Sequence, residues 1–300
     1  MAFTLRRPPA PTPEVEAGAG SRGTVVIEPR REGPIERIQE VGRYRALLPF
    51  FGRRALEKLY IRTHLGWLWI PARPLLDVGL KALVFGSLLQ APSEGVPYFL
   101  FFLIGMMSWT LFDQSLMWAT RSIELNRALI KKLYFPRLIL PFANLAPALV
   151  DLVLYSIILG AALVVFQIID GTTHIALEPK LILAPVGLML GVLLALGISF
   201  WTSVLGASTR DMRFTLGYIL GVWFFLTPVI YPLSSLPALL QPFAVINPMT
   251  PIVEMIKWAS LGAGQLDLPG LALSIGMIVL AWGSGLWFFS RAEALSVDQM

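Results

Sequence analysis

Long apolar runs, each followed by a short polar segment, make up most of this 300-residue chain. Each run is close to the roughly 20 residues that an α-helix needs to cross the hydrocarbon core of a bilayer. Because a helix satisfies its own backbone hydrogen bonds in lipid, the pattern predicts an all-α integral membrane protein. Six transmembrane helices are predicted, at residues 68–90, 99–120, 141–168, 180–206, 215–231 and 270–290.

The segment 43–64 has a different pattern, in which apolar residues recur three and four positions apart. Basic residues such as Arg53, Arg54 and Lys58 occupy much of the opposite face. This pattern predicts an amphipathic helix that lies in the headgroup layer, with Pro49 either bending the helix or delaying its start.

These patterns divide the chain into four parts. Residues 1–34 are rich in proline and arginine and poor in large apolar residues, which predicts a disordered cytoplasmic tail. Residues 35–66 are predicted to form the amphipathic interface region, residues 67–290 a transmembrane domain with six spans, and residues 291–300 a cytoplasmic C-terminal tail.

Basic residues are distributed unevenly among the predicted loops. The tail to residue 67 has 12 Lys and Arg and the loop 121–140 has 5, whereas 91–98 and 169–179 have none. Because positively charged loops stay in the cytoplasm, both termini are predicted to be cytoplasmic. The run Leu129–Pro141, LIKKLYFPRLILP, is then an ordered helical loop that faces the cytosol and is placed to act on a cytosolic partner.

Composition supports this interpretation and excludes several kinds of chemistry. The chain is 56% hydrophobic and 14% charged, against about 25% charged residues in a soluble domain. It has no cysteine, which excludes disulfides and thiol catalysis, and its two histidines match no metal spacing. No phosphate-binding GxxxxGKS or GxxxxGKT sequence occurs, so an ATPase that drives this protein would be a separate chain.

The segment 232–269 is too long for a turn and too interrupted by proline for a membrane span. Its apolar residues predict short amphipathic helices that re-enter the outer membrane face between spans five and six, shielded by protein. Thr250 followed by Pro251 predicts a helix start, with Glu254 in the first turn.

Small residues recur every four positions in the fourth and fifth predicted spans, and such a stripe lets another helix approach closely. The stripe either packs against a helix of the same chain or forms a subunit interface. Its members are Gly187, Gly191, Ala195, Ser199 and Ser203 in the fourth span, and Gly217 and Gly221 in the fifth.

Charged residues within the predicted spans are candidates for a functional site. Arg73, Asp77 and Lys81 lie four residues apart in the first span and therefore share one helix face. Charges at that depth cost free energy unless they are paired or hydrated. They form either a self-paired stripe against a neighbouring helix or a polar wall of a translocation path. In the second case, two cations against one anion would suit a phosphate group on the substrate.

Asp113 and Asp151 are the other acids within the predicted spans. No nucleophile, histidine or metal-ligand cluster accompanies them on a span, so hydrogen bonding between helices is favoured over acid–base catalysis. Aromatic residues near span ends indicate an interfacial belt, and the alternative is that some rings stack on sugars along a path. The predicted path residues are Arg73, Asp77, Lys81, Trp109, Asp113 and Tyr231.

Six sequence blocks occur in a characteristic order between residues 43 and 290. They are LGWLW at 65–69, VFG at 84–86, the stretch Gly105–Pro141, RDMR at 210–213, TPVIYPLSSLP at 227–237 and NPMTP at 247–251. In these blocks the chain resembles the membrane permeases of type-two ABC exporters of polysaccharide, which carry O-antigen, capsule, teichoic acid and related glycans.

The resemblance implies a permease that exports a lipid-linked polysaccharide across the bacterial cytoplasmic (inner) membrane. It implies a homodimer in contact with membrane lipids and with two copies of a separate ABC ATPase, which binds ATP and Mg²⁺. This chain would bind no cofactor, metal or nucleic acid and catalyse no reaction. The implied ATPase-coupling residues are Asn126, Arg127, Leu129, Ile130, Lys131, Lys132, Tyr134, Arg137, Arg210, Asp211 and Arg213.

Other functions remain open alternatives. An ABC permease could carry another amphipathic substrate, such as teichoic acid or a small molecule for efflux. A proton-coupled secondary transporter would use Asp77, Asp113 and Asp151 as a relay. A membrane-embedded transferase would need a catalytic group at the membrane edge, and His64 is the candidate there.

Overall fold

The computed structural model describes residues 34–60, 69–133, 135–172, 174–175, 178–209, 211–237, 239 and 241–297. Helices account for nearly all of this part of the chain, and it contains no strand. The disordered tail predicted for residues 1–34 and the last part of the interface segment, 61–64, fall outside the described residues except for Pro34.

Two helices precede the first predicted span, α1 (Pro34–Arg43) and α2 (Leu48–Tyr60). The helix α2 begins one residue before Pro49, after a short 3₁₀ turn, as the proline predicts. Its apolar face packs on the bundle through Phe51, whose ring centroid lies 5.0 Å from that of Phe135, while Phe50 is exposed. A helix is therefore present over Leu48–Tyr60 of the predicted segment, and its placement in the headgroup layer stays a prediction.

The transmembrane part begins with α3 (Trp69–Ala82), which continues as a π-helix (Leu83–Leu88), and α4 (Tyr98–Thr120). Three short helices follow, and the remaining helices come after them. They are α5 (Ser122–Leu125), α6 (Arg127–Ile130), α7 (Ile139–Ala143), α8 (Ala146–Asp170), α9 (Leu183–Ser208), α10 (Asp211–Leu226), α11 (Gln241–Ile246), α12 (Met249–Leu261) and α13 (Leu268–Val297).

Helices occur at all six positions where the hydrophobic pattern predicts a span. Among the described residues, four stretches are long and apolar enough to cross a membrane: Tyr98–Thr120, Ile139–Asp170, Pro179–Ala207 and Leu268–Ala292. The other two predicted spans contain α3 and α10, which are shorter, at 14 and 16 residues. The all-helical membrane architecture is therefore confirmed, and a count of six spans stays a prediction.

The centre of the bundle is formed by α4 and α9, which pack against each other. The small residues of α9 allow this helix to approach its neighbours closely. A Cβ atom on Gly187 would lie 2.5 Å from Cγ1 of Ile256 in α12, and one on Gly197 would lie 2.9 Å from Cβ of Ala281 in α13. The α9 stripe therefore packs within the chain.

The two glycines of α10 have a different environment, although their spacing in the sequence is the same. A Cβ atom on Gly217 or Gly221 would meet no atom within 4 Å. Tyr218 and Val222 on the same helix are also largely exposed. The small residues of α10 therefore do not serve packing within this chain.

The helix α12 is buried on nearly all sides, against α9, α4 and α13. It begins at Met249, one residue before the predicted cap Thr250, and Asn247 Oδ1 accepts a hydrogen bond from the Met249 backbone N–H at 3.0 Å. The Thr250 hydroxyl is buried and has no hydrogen-bond partner in the described part of the chain, and Glu254 lies in the second turn. The predicted N-cap was therefore wrong, because an asparagine further upstream reaches the first turn.

Candidate functional site

A cavity of about 490 Å³ lies between α3, α4, α8 and α10. Charged, hydroxyl, amide and aromatic side chains all reach its surface. Its lining residues are Arg73, Pro74, Asp77, Lys81, Met106, Trp109, Thr110, Asp113, Gln114, Asp151, Tyr155, Gly217, Leu220, Gly221, Phe224 and Phe225.

The charged residues of α3 line one side of this cavity. Lys81 Nζ lies 2.8 Å from Asp77 Oδ1, and both side chains remain partly exposed, at 37% and 42%. The i, i+4 pairing predicted for these two residues is therefore confirmed. Arg73, two helical turns before Lys81, lines the same cavity and is exposed.

Two further carboxylates, which the sequence places far from α3, reach the same cavity. Asp113 comes from α4 and accepts a hydrogen bond from Gln114 Nε2, within its own helix, at 3.0 Å. Asp151 comes from α8. With these two added, three acids face two basic residues, so the net positive charge expected from α3 alone was wrong for the cavity as a whole.

Aromatic rings line another part of the same cavity. The ring centroid of Trp109 lies 5.4 Å from that of Phe112 and 5.6 Å from that of Phe224 in α10. Trp109 is buried in the middle of α4, so it does not belong to an interfacial belt. Lys81 Nζ lies 5.5 Å from the Phe224 centroid. Aromatic faces beside charged and amide groups suit the two sides of a sugar ring, one apolar and the other edged by hydroxyls.

Five of the six predicted path residues line this cavity together: Arg73, Asp77, Lys81, Trp109 and Asp113. Tyr231 is absent from its lining, and the Tyr231 hydroxyl donates a hydrogen bond to the Phe225 carbonyl at 2.6 Å. The sequence-based set omitted Tyr155, whose hydroxyl lies 3.3 Å from Thr110 Oγ1 and which joins α8 to α4.

Beyond the end of α10, the chain is unwound and its carbonyls are held by side chains from other elements. Lys257 of α12 is fully buried and donates hydrogen bonds to the carbonyls of Pro228 (2.5 Å) and Val229 (3.3 Å). Its ammonium also lies 3.6 Å from the centroid of the Phe101 ring. The Tyr98 hydroxyl donates to the Ile230 carbonyl at 2.8 Å.

Asn247 completes this arrangement, with its amide 2.8 Å from Thr227 Oγ1 and its Oδ1 accepting from Trp223 Nε1 at 2.6 Å. The Asn247 amide also lies 3.5 Å from the carbonyl of Leu226, the last residue of α10, and the final carbonyls of a helix have no partner within it. Asn247 therefore caps the helix that carries Phe224, and Lys257 holds the chain just beyond it. Charge counting along the sequence missed this role, because it registers Lys257 only as a lone cation in an outer segment.

Acidic residues surround Lys257 on the same side of the molecule. Glu254, one turn earlier on α12, is buried, and its Oε1 atom has no hydrogen-bond partner among the residues that the structure describes. Glu94, in the connection between α3 and α4, accepts hydrogen bonds from the Ser234 hydroxyl (2.9 Å) and from the Gly264 backbone N–H. These contacts join three separate connections at one end of the bundle.

The predicted ATPase-coupling residues lie at the opposite ends of α4 and α9. Asn126 is buried, and its side chain donates to the Ser122 carbonyl at 2.8 Å, whereas Lys131 and Lys132 are exposed beyond α6. Leu129 and Ile130 pack against a cluster of buried apolar side chains.

Residues of the predicted loop 121–140 contact residues at the end of α9 and the start of α10 there. Arg127 donates a hydrogen bond to the Ala207 carbonyl, and Arg213 lies 3.4 Å from Glu124. Asp211 occupies the first turn of α10, and Arg137 is half-buried. Tyr134 and Arg210, which belong to the same predicted set, fall outside the described residues.

Long apolar helices around a polar, aromatic-lined cavity are typical of a multi-pass membrane protein. The chain belongs to the ABC-2 type transporter family, whose sequence profile matches residues 52–260. This membership confirms the resemblance predicted from the sequence blocks.

Individual relatives agree with this assignment. The chain is 27% identical to the O-antigen export system permease protein RfbA of Myxococcus xanthus over 265 residues, which cover 86% of this chain and 97% of that protein. It is 26% identical to the protein of the same name from Klebsiella pneumoniae, over 72% of this chain and 79% of that protein. It is 22% identical to the polysialic acid transport protein KpsM of Escherichia coli, over 69% and 78% of the two chains.

Proposed function

We propose that this chain is the permease subunit of an ATP-driven exporter that moves a lipid-linked polysaccharide across the cytoplasmic membrane. The observation that carries the proposal is the cavity, in which Trp109 and Phe224 face Asp77, Lys81 and Asp113. A passing glycan needs apolar ring contacts and exchangeable polar partners at the same place, and this cavity offers both. The likeness to O-antigen and polysialic acid transport proteins supports the same substrate class.

The cavity is built from one chain but leaves part of its wall to another molecule. Gly217 and Gly221 line it with open space beside them, and the α10 side chains Tyr218 and Val222 are exposed. A second copy of the chain, with its own α3 and α10 facing these, would enclose a continuous path. The proposal is therefore a homodimer with six spans in each protomer, both termini in the cytoplasm, and α11 and α12 covering the outer end.

Energy comes from a separate ABC ATPase in this proposal, with ATP and Mg²⁺ bound on that partner. The exposed Lys131 and Lys132 beyond α6, together with the exposed Asp211 at the start of α10, form the contact surface for two ATPase copies. Closure of the ATPases shifts the population of the permease between two conformations, and ATP must bind those states differently to do so. The permease itself makes and breaks no covalent bond.

The decisive experiment replaces Lys81 with Met in cells that lack the chromosomal permease gene, and measures glycan at the cell surface with a specific antibody. Lys81→Met removes the partner of Asp77 and the cation beside Phe224, so export should fall at least tenfold (about 1.4 kcal/mol). Membrane abundance and copurification of the ATPase should not change.

Lys180→Met is the matched control, because Lys180 also pairs with an acid, Glu178 (3.1 Å), and also faces a ring, Trp258 (5.2 Å). It lies away from the cavity lining and should export normally. Normal export by Lys81→Met at normal abundance would show that the Asp77–Lys81 pair is only structural.

A proton-coupled secondary transporter is the second candidate, because Asp77, Asp113 and Asp151 share one cavity. In that case, export would continue with a catalytically inactive ATPase and would stop when the proton gradient collapses. The ATP-driven proposal expects the reverse dependence in inverted vesicles, which separates the two functions directly.

A further inference from the structure

Four basic side chains from three parts of the chain meet at the end of the bundle that carries α5 and α6. Arg54 and Lys58 come from α2, Arg121 follows the last residue of α4, and Arg213 lies in the first turn of α10. Contacts with α5 bring them together. Lys58 donates a hydrogen bond to the Leu125 carbonyl. All four side chains are half-buried, so they are neither fully hydrated nor closed off from a ligand.

The cluster has more positive charge than its described partners neutralise. Among the described residues, the carboxylate of this cluster is that of Glu124, which lies 3.4 Å from the Arg213 guanidinium. Burial lowers the pKa of Lys58, and the positive charges of Arg54 and Arg121 lower it further. Burial also lowers the pKa of Arg121, with Arg213 acting in the same direction and Glu124 opposing both. The cations therefore repel one another in a partly desolvated place, and an anion would relieve that repulsion.

Arg121 has an unused donor in this cluster. Its Nε atom is buried and has no hydrogen-bond partner among the described residues. Its guanidinium lies 5.5 Å from the centroid of the Trp118 ring, which limits how far the group moves. A buried N–H without an acceptor is unfavourable, so the site is complete only when an oxygen ligand reaches it.

The position of the cluster indicates which anion it binds. The helix α2 has the amphipathic pattern of a headgroup-layer helix, and its exposed Phe50 lies on the same element as Arg54 and Lys58. Guanidinium groups match phosphate oxygens in geometry, and lysines near the membrane surface attract anionic lipids. The side chains of the cluster are half-buried, whereas Lys131 and Lys132 are exposed, and this favours a lipid headgroup at the cluster over an acidic side chain of the ATPase.

We propose that Arg54, Lys58, Arg121 and Arg213 form a binding site for the phosphate of an anionic phospholipid in the cytoplasmic leaflet. The bound headgroup would fasten α2 to the ends of α4 and α10, next to the proposed ATPase contacts. The leaflet assignment rests on the orientation given under the proposed function, whereas the binding itself does not depend on it.

The test uses the full-length protein purified in detergent and titrated with phosphatidylglycerol or phosphatidylcholine, with bound lipid counted by native mass spectrometry. The wild-type protein should bind phosphatidylglycerol at least tenfold more tightly than phosphatidylcholine. The double variant Lys58→Gln, Arg121→Gln should lose this preference. Arg53→Gln is the matched control. This variant also removes a positive charge from α2. Because Arg53 is 83% exposed and paired with Glu57 at 3.0 Å, the variant protein should keep its preference for phosphatidylglycerol.

Arg121→Lys provides a second variant if the double variant does not fold. It keeps the charge and removes the Nε donor, so affinity for phosphatidylglycerol should fall between those of the wild type and the double variant. Equal lipid preference in all proteins would overturn the proposal. So would competitive displacement of the lipid by millimolar inorganic phosphate, which would indicate a small-anion site. Unchanged lipid binding with weakened ATPase binding would assign the cluster to the partner protein instead. None of these readouts depends on glycan export, so failure here leaves the proposed function to its own test.

Discussion

Lys257 offers the sharpest test of how the chain beyond the end of α10 is held. Replacing it with Met keeps an unbranched apolar side chain in a fully buried site and removes the ammonium group. The carbonyls of Pro228 and Val229 then lose their donor. A buried acceptor left without its donor costs about 1–3 kcal/mol, because it stays desolvated and unpaired.

The measurement is the free energy of unfolding of the purified protein in mixed micelles, followed by titration with denaturing detergent. Lys257→Met should lower it by about 2–6 kcal/mol, the cost of leaving two buried carbonyls without their donor. Lys180→Met is again the control, because its ion pair with the exposed Glu178 should contribute at most about 1 kcal/mol. A loss in Lys257→Met no larger than in the control would refute the reasoning, because Pro228 and Val229 would then have adequate donors without the ammonium.

Two further predictions concern helix packing and coupling. Gly187→Ala should destabilise the fold by about 1–3 kcal/mol, because the new Cβ would lie 2.5 Å from Ile256 Cγ1. Gly160→Ala, which meets no atom within 4 Å, should be neutral or stabilising in the same unfolding assay. Replacing the exposed Lys131 and Lys132 with Glu should abolish copurification of the ATPase without changing membrane abundance. Full retention of the ATPase by that variant would place the coupling contact elsewhere.

The hydrophobic period alone was sufficient to locate every long helix. Apolar runs in lipid have one common solution, an internally hydrogen-bonded helix, so their positions depend little on their neighbours. The same holds for α2, because its apolar and basic faces are a local property of residues 48–60. Exact ends were less predictable. The start of α12 shifted because the Asn247 side chain, and not that of Thr250, accepts from the first turn.

Pairing along one helix was also predictable, and convergence between helices was not. Asp77 and Lys81 are four residues apart on α3, and their ion pair follows from helix geometry. Asp113 and Asp151 reach the same cavity from α4 and α8, and no sequence spacing encodes that meeting. The charge balance inferred from α3 alone was therefore reversed once the bundle was assembled.

Identical spacing of small residues has two outcomes in this protein. Gly187 lets α12 come close to α9, while Gly217 borders open space beside the cavity. Lys257 shows the same limit for charge, since counting it as an outer-side cation says nothing of its complete burial. By itself, the sequence determined the helices, their amphipathic faces and the family, because these depend on local periodicity and on ordered sequence blocks. Only the tertiary structure decided which polar groups share a cavity, which are buried against carbonyls and which glycines are packed, because each of these depends on contacts between residues far apart in the chain.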